Sequence, residues 1–330
     1  MKAENNIMFV DRNLLLSVDI IQILSEATGL LPRDIRGLIY SADVSYKTYT
    51  IPKRTGGERI ISQPTREIKL LQRILVDKIL SKLPIHPSAT AYRRGQSLVA
   101  NVEPHKGVGR PILKMDFKDF FPSIRDTHWL TYCAKNNLFS QENRFLIAKL
   151  VFKHEPHLRG NRLAIGAPSS PIMSNIMMYE FDSLLYEIAK EESVVYTRYA
   201  DDLTFSAERT GFMVDIQKKV KYVLRKIDYP RLQIKNEKTV YATSKYKRSI
   251  TGVILTNDGK ISLGRNKKRE ISAAVHHSKL SKLSDLENKK LAGYLAYANT
   301  IEPDFLNRLR KKYGEDTLRS IFRWGSPNIK

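Results

Sequence analysis

The chain has 330 residues, 42% of them hydrophobic, which is enough to bury a substantial core and more than one small domain requires. Its 56 Lys and Arg against 34 Asp and Glu leave a net charge of +22, pointing to a polyanionic partner, either nucleic acid or an anionic surface. A single cysteine, Cys133, excludes an internal disulfide and fits a reducing cytoplasm, and no signal-peptide pattern, membrane-length apolar run, zinc signature or GxxxxGKS/T loop is found.

Residues 13–45 read as helical, with Leu16, Ile20, Ile23 and Leu24 at helical spacing and Pro32 opening a second short helix. Residues 46–64 change texture to two strand-like runs joined by a turn at Gly56 and Gly57. Residues 66–82 return to helix, with Ile68, Leu71, Leu75 and Ile79 on one face. The apolar run PILKMDF (111–117) predicts a strand that ends in an acid. Helical segments follow at about 126–152, then a break at GAPSSP (166–171), then a helix over 174–191 with Ser174 as its N-cap. SVVYTRYADDLTFSA (193–207) predicts two strands around a tight turn at Ala200–Asp202. A further hairpin is expected over 249–263, turning at Asp258 and Gly259. The last part is helical: Ser284 and Glu287 form a capping box, Leu291, Tyr294, Leu295 and Ala298 give a buried face, and Gly314 closes the next helix.

Three acids carry chemical potential: Asp116 at the end of a strand, and Asp201 and Asp202 on a hairpin turn. Only a fold can unite them, because they lie far apart in sequence. Mg²⁺ prefers hard oxygen ligands and takes one or two protein carboxylates alongside substrate phosphates. Joining a nucleotide to a primer uses one metal at the attacking hydroxyl and one at the leaving group. Neighbouring strand residues point to opposite faces, which makes Asp201 the expected full ligand and Asp202 peripheral. By itself an acidic pair in a turn is most often just a turn. The pair acquires meaning from its neighbours.

Those neighbours resemble a family. The segments LKMDFKDFFPSI (113–124), GAPSSPIMSN (166–175) and YTRYADDL (196–203) are similar, in order and spacing, to the A, B and C motifs of reverse transcriptases. Residues 49–72 resemble the fingers segment, LQIKNEKT (232–239) the D motif, and residues 249–255 and 263–271 the region leading into the thumb. NVEPH (101–105) and ITG (250–252) resemble two elements of the retron type, with Val102 and Ile250 replacing the usual Ala and Val.

The resemblance implies an α+β, right-hand polymerase fold: N-terminal helices and fingers over 1–110, intermixed with palm through about 190, an antiparallel-sheet palm over 111–255, and a short basic helical thumb over 256–330. It implies RNA-directed DNA synthesis with two Mg²⁺ ions, for which Mn²⁺ is a possible substitute. The metal ligands would be Asp116, Asp201, Asp202 and the carbonyl of Phe117, with Lys238 protonating the leaving pyrophosphate. Lys53 and Arg59 would hold the triphosphate. Phe121 would exclude a sugar 2′-hydroxyl beside the loop Gly166, Ala167 and Pro168. Ile165 departs from the Gln of many relatives, which contacts the incoming sugar.

Asn101, His105, Thr251 and Gly252 would face a cognate structured noncoding RNA, and Arg265, Lys267, Lys268 and Arg269 would grip its phosphates. Against this stands the bland alternative of satisfied turn or core positions and a solvated basic face. The retron type further implies priming from an RNA 2′-hydroxyl, a branched RNA–DNA product, dNTPs as substrates, and antiphage defence with a separate effector protein. Two other readings stay open: an intron-encoded or diversity-generating reverse transcriptase, against which the stop at Lys330 is an argument, and an inactive polymerase fold that only binds RNA.

Overall fold

The computed structural model describes residues 12–53 and 56–325. Helices α1 (Arg12–Leu16), α2 (Ile20–Thr28) and α3 (Pro32–Tyr40) open it. Asp19 caps α2 by accepting from the Gln22 amide at 3.0 Å, and Gly29, at φ +72°, ends it with a bond to the Ser25 carbonyl. Leu15, Ile20, Ile21 and Leu24 are buried, whereas Leu16 is 37% exposed. The break after α1 resets the helical frame, so Leu16 falls off the expected face.

Strands β1 (Tyr46–Pro52) and β2 (Glu58–Pro64) pair antiparallel, with Thr48 opposite Ser62 and Ile51 opposite Arg59. Gly56 and Gly57 both lie at positive φ in the turn, as their sequence suggested. Helix α4 (Arg66–Lys78) then buries Ile68, Leu71 and Leu75.

The chain continues through α5 (Val99–Val102), β3 (Ile112–Asp116), α6 (Phe120–Ser123), α7 (Asp126–Lys135), α8 (Gln141–Val151), α9 (Ser170–Met177) and α10 (Tyr179–Glu191). Next come β4 (Val195–Tyr199), β5 (Asp202–Ser206), α11 (Met213–Lys226) and β6 (Val240–Ala242). One helix expected over 174–191 is therefore two, α9 and α10. Ser174 does not cap either: it is buried inside α9, where its hydroxyl donates to the Pro171 carbonyl at 2.8 Å. Strands β3 to β6 form one antiparallel sheet in the order β4-β5-β3-β6. One large apolar cluster joins this sheet to α2–α4 and α7–α11.

The second cluster joins the end of the chain to Val102, Ile112 and Ala242. Strands β7 (Arg248–Ile250), β8 (Val253–Leu255) and β9 (Ile261–Ser262) form a small antiparallel sheet, followed by α12 (Arg265–Lys279), α13 (Asp285–Ile301), α14 (Pro303–Tyr313) and α15 (Glu315–Arg323). The hairpin expected to turn once at Asp258–Gly259 turns twice. Thr251 and Gly252, at φ +47° and +88°, make a tight two-residue turn between β7 and β8, and Asp258–Gly259 leads into β9. Ser284 and Glu287 cap α13 reciprocally, as expected. Leu291, Leu295 and Ala298 are buried, but Tyr294 is 39% exposed, its ring lying 3.5 Å from the Lys267 ammonium. Among the described residues no helix is long and apolar enough to cross a membrane.

Candidate active site

Pairing of β3 with β5 solves the problem of separation. Ile112, Leu113 and Met115 bury β3, and the antiparallel register sets Asp116 directly opposite Asp202. The β4–β5 turn holds Ala200 at φ +57° and presents Asp201 at its tip. The Phe117 amide donates to the Asp201 carbonyl at 3.1 Å, so backbone locks the two motifs together. The Asp116 carbonyl accepts from the Lys235 amide at 2.7 Å, which brings in the segment carrying Lys238. The Lys238 ammonium then meets Asp116 Oδ2 at 2.7 Å. Phe117 itself is buried.

The electrostatics show how crowded the acids are. Burial, then the charges of Asp201 and Asp116, push the Asp202 carboxyl up to about 6. Burial and then Asp116 also raise Asp201. Lys238 is raised above its ordinary value, first by its hydrogen bond to Asp116 and further by attraction to Asp201 and Asp202. Like charges held together in a desolvated site are costly, and a divalent cation relieves that cost. The donor set is hard oxygen, which fits Mg²⁺. Among the described residues no group of three His, Cys, Asp or Glu side chains is placed to hold a metal ion.

Beside the acids lies a cavity of about 390 Å³, lined among others by Phe121, Gly166, Ala167, Pro168, Ile165 and Tyr92. Phe121 packs on Phe120 and Tyr92, with ring centroids 5.4 and 6.3 Å away. Tyr92 links cavity and acids: its phenol is raised by burial and then by the Asp201 charge. Gly166 sits at φ +115°, and a Cβ there would come within 3.0 Å of both the Ile61 side chain and the Ser62 carbonyl. The Ile165 carbonyl accepts from the Ser62 amide at 2.7 Å, so this loop joins directly onto β2. Arg59, on β2, is exposed and its charge reaches Asp201 and Tyr92. Lys53 is exposed at the end of β1, its amide bonded to the Gly57 carbonyl.

The residues expected to face RNA divide. Asn101 and His105 are both 0% exposed, and this corrects the expectation that they face a ligand. The two nitrogens of His105 bond to Ser206 and Thr197, each at 2.8 Å, and burial drives its pKa down to about 3. Asn101 Oδ1 accepts from Thr90 and Thr197 at 3.0 and 2.8 Å. Both side chains brace the underside of the β4–β5 hairpin. Thr251 and Gly252 form the β7–β8 turn, Gly252 exposed and Thr251 half-buried.

Arg265, Lys268 and Arg269 line a groove of about 920 Å³ between α12, α14 and the β7–β9 sheet, together with His276 and Lys312. Arg265, Arg269 and Lys312 are exposed. Lys268 is tied to Glu302 at 3.0 Å, and Lys267 to Glu270 at 3.0 Å. Sequence reasoning did not single out Tyr92, His276 or Lys312. A lone aromatic or cation gives no local signal, since only the fold brings these to a site.

The sequence pattern of the family described as "Reverse transcriptase (RNA-dependent DNA polymerase)" matches residues 51–255. The chain is 39% identical to the Retron Ec83 reverse transcriptase of Escherichia coli over 84% of its length and 90% of that protein. It is 32% identical to the Retron Ec86 reverse transcriptase of Escherichia coli over 89% of its length and 91% of that relative, and 30% identical to the Retron Mx65 reverse transcriptase of Myxococcus xanthus over 81% of its length and 64% of that relative. A solved telomerase from Candida albicans aligns at 13% identity with a TM-score of 0.48 over 88% of this chain, which spans 61% of that one. With an antiparallel sheet carrying its acids, and retron enzymes as relatives along most of its length, the chain belongs to the retron reverse transcriptases, RNA-directed DNA polymerases of the right-hand, α+β fold.

Proposed function

We propose that Asp116, Asp201 and Asp202, with the Phe117 carbonyl, hold two Mg²⁺ ions and that the chain copies a cognate structured noncoding RNA into DNA, starting from a 2′-hydroxyl of that RNA. The register that sets Asp116 opposite Asp202, with Asp201 at the adjoining turn and Lys238 bonded to Asp116, carries this reading. When bound, the ions would activate the attacking hydroxyl and offset charge on the triphosphate. The protein's own groups do the rest. Arg59, with Lys53 farther along the same hairpin, orients the triphosphate. Phe121 crowds the sugar 2′ position of the incoming dNTP, on the floor formed by Gly166, Ala167 and Pro168. Lys238, kept protonated by Asp116, supplies a proton to the departing pyrophosphate.

The basic groove of α12 and α14 holds phosphates of the RNA partner and of the growing DNA product, and the Thr251–Gly252 turn lies on the same small sheet. A cytoplasmic setting and a separate effector protein in antiphage defence complete the proposal, supported by the kinship with retron enzymes and the lone cysteine. The test is to supply the purified chain with a structured RNA from beside its gene, dNTPs and Mg²⁺. The expected product is DNA joined to RNA by a bond that a 2′–5′ debranching enzyme cleaves. DNA that carries no such bond removes the priming mechanism and leaves the polymerase.

A further inference from the structure

Arg198 lies three residues before Asp201, on β4, and is 0% exposed. Its Nε and Nη2 grip both oxygens of Asp182 on α10, at distances from 2.6 to 3.1 Å. That ion pair alone satisfies the charge. Yet Nη1 makes two further bonds, to Asn175 Oδ1 at 3.2 Å and to the Ala200 carbonyl at 3.1 Å. Ala200 is the residue immediately before Asp201, and it holds a left-handed φ of +57° that a non-glycine residue adopts only when its surroundings enforce it. Asn175, on α9 just after the GAPSSP loop, donates in turn to the Ala91 carbonyl at 2.9 Å, next to Tyr92. The Arg198 backbone is bonded on both sides to the 88–90 segment, by its amide to Ser88 at 2.7 Å and by its carbonyl to the Thr90 amide at 2.9 Å. One guanidinium thus touches the turn of the acids, the helix of the B motif and, through Asn175, the segment that carries Tyr92.

A buried ion pair is weak evidence for stability, because apolar residues of similar volume often replace it without loss. The fork of donors aimed at Ala200 and Asn175 calls for another role. We propose that Arg198, clamped by Asp182, is a positioning residue for polymerisation: it fixes the Ala200 carbonyl, and with it the backbone from which Asp201 projects, in register with the B-motif helix. The proposal rests on Asp201 being a metal ligand.

Two variants test it by primer extension on an RNA template, with dNTP and Mg²⁺ titrations and thermal melting of the full chain. Arg198→Lys keeps a positive charge for Asp182 but cannot fork to Ala200 and Asn175. The combined variant Arg198→Met, Asp182→Leu and Tyr196→Phe removes both charges together with the Tyr196 hydroxyl that donates to Asp182 at 2.8 Å, and keeps an apolar fill. Each is expected to melt cooperatively and bind the RNA as the parent does, with KM for dNTP within roughly twofold. Each should lose kcat by roughly 10²-fold, as for a reacting group misplaced by about 1 Å. The Mg²⁺ concentration for half-maximal rate should rise in parallel. A folded variant with the parent's kcat and Mg²⁺ dependence overturns the proposal. So does loss of folding in both variants, or activity that falls only in proportion to the unfolded fraction, since Arg198 then serves the fold alone. Asp201→Asn runs alongside: if it still extends primers, the site reading has failed, whatever Arg198 does.

Discussion

Phe121 occupies an unusual place for a phenylalanine, half-buried on Phe120 and Tyr92 yet lining the cavity beside the acids. A ring there obstructs a hydroxyl that a smaller side chain would admit. Phe121→Ala is expected to raise ribonucleotide incorporation relative to deoxynucleotide by at least about tenfold, a difference of roughly 1.4 kcal/mol in transition-state energy. The check is kcat/KM for a dNTP and its rNTP counterpart on the same template. An unchanged ratio returns Phe121 to core packing. His105 is governed by burial first and then by the charge of Arg110. An unfolded imidazole titrates near 6.5, while the folded one is held at about 3. The folded state therefore binds fewer protons between these values. The stability that follows is complete above pH 6.5 and is lost as the pH falls towards 3, by about 1.4 kcal/mol per pH unit. Denaturation curves from pH 7 to 4 should fall more steeply for the parent than for His105→Gln. Parallel curves would show that His105 is not the group taking up the proton.

At the scale of elements, the C-terminal helices separate cations held in ion pairs from cations exposed along the groove. Lys267 and Lys268 are held by Glu270 and Glu302, and Lys268 also reaches the Ser262 hydroxyl at 3.2 Å. Arg265, Arg269 and Lys312 stand exposed along the groove. Replacing Arg265 and Arg269 by Ala should weaken RNA binding and reduce the slope of log K against log salt by about 0.7–0.9 per lost phosphate contact. Lys268→Ala should lower thermal stability more than it changes that slope. A slope untouched by the two arginine changes would make the groove a merely solvated surface. Element boundaries that depended on one local cue were the ones misread. Asp258–Gly259 is a strong turn signal, and it hid the equally tight turn at Thr251–Gly252, where a threonine accepts φ +47°. Ser174 resembled a cap because the sequence does not show that α9 had already begun at Ser170. Alternation located β4 and β5, an apolar run located β3, and helical spacing located α4, which ends at Lys78, short of the expected residue 82.

Across the whole molecule, the acids were legible because short motifs flank each of them, and pairing of β3 with β5 had only to bring those motifs together. Their supports were not legible. Arg198 and Asp182 carry full charges that a sequence assigns to the surface, and the fold buries them both completely. Asn101 and His105 were misplaced for the same reason: polarity predicts exposure, whereas here Thr197 and Ser206 engage both His105 nitrogens and Thr90 and Thr197 engage Asn101 Oδ1 inside the fold. Gly166 reaches β2 through the loop whose Ile165 carbonyl accepts from the Ser62 amide, and Tyr92 is placed by the bond from Asn175 to the Ala91 carbonyl, links that no local motif announces. The candidate site therefore depends on the β1–β2 hairpin and the β3–β6 sheet together, and one substitution at its centre probes the assembly. Asp201→Asn removes a charge and no bulk. The direct measurement is single-turnover primer extension on an RNA template, parent against Asp201→Asn, with melting temperature and RNA affinity recorded on the same preparations. The rate should fall by roughly 10³-fold, as expected when several kcal/mol of transition-state stabilisation are lost. Melting and RNA binding should stay near those of the parent. Extension by Asp201→Asn at the parent's rate would contradict the assignment of these carboxylates as the catalytic centre.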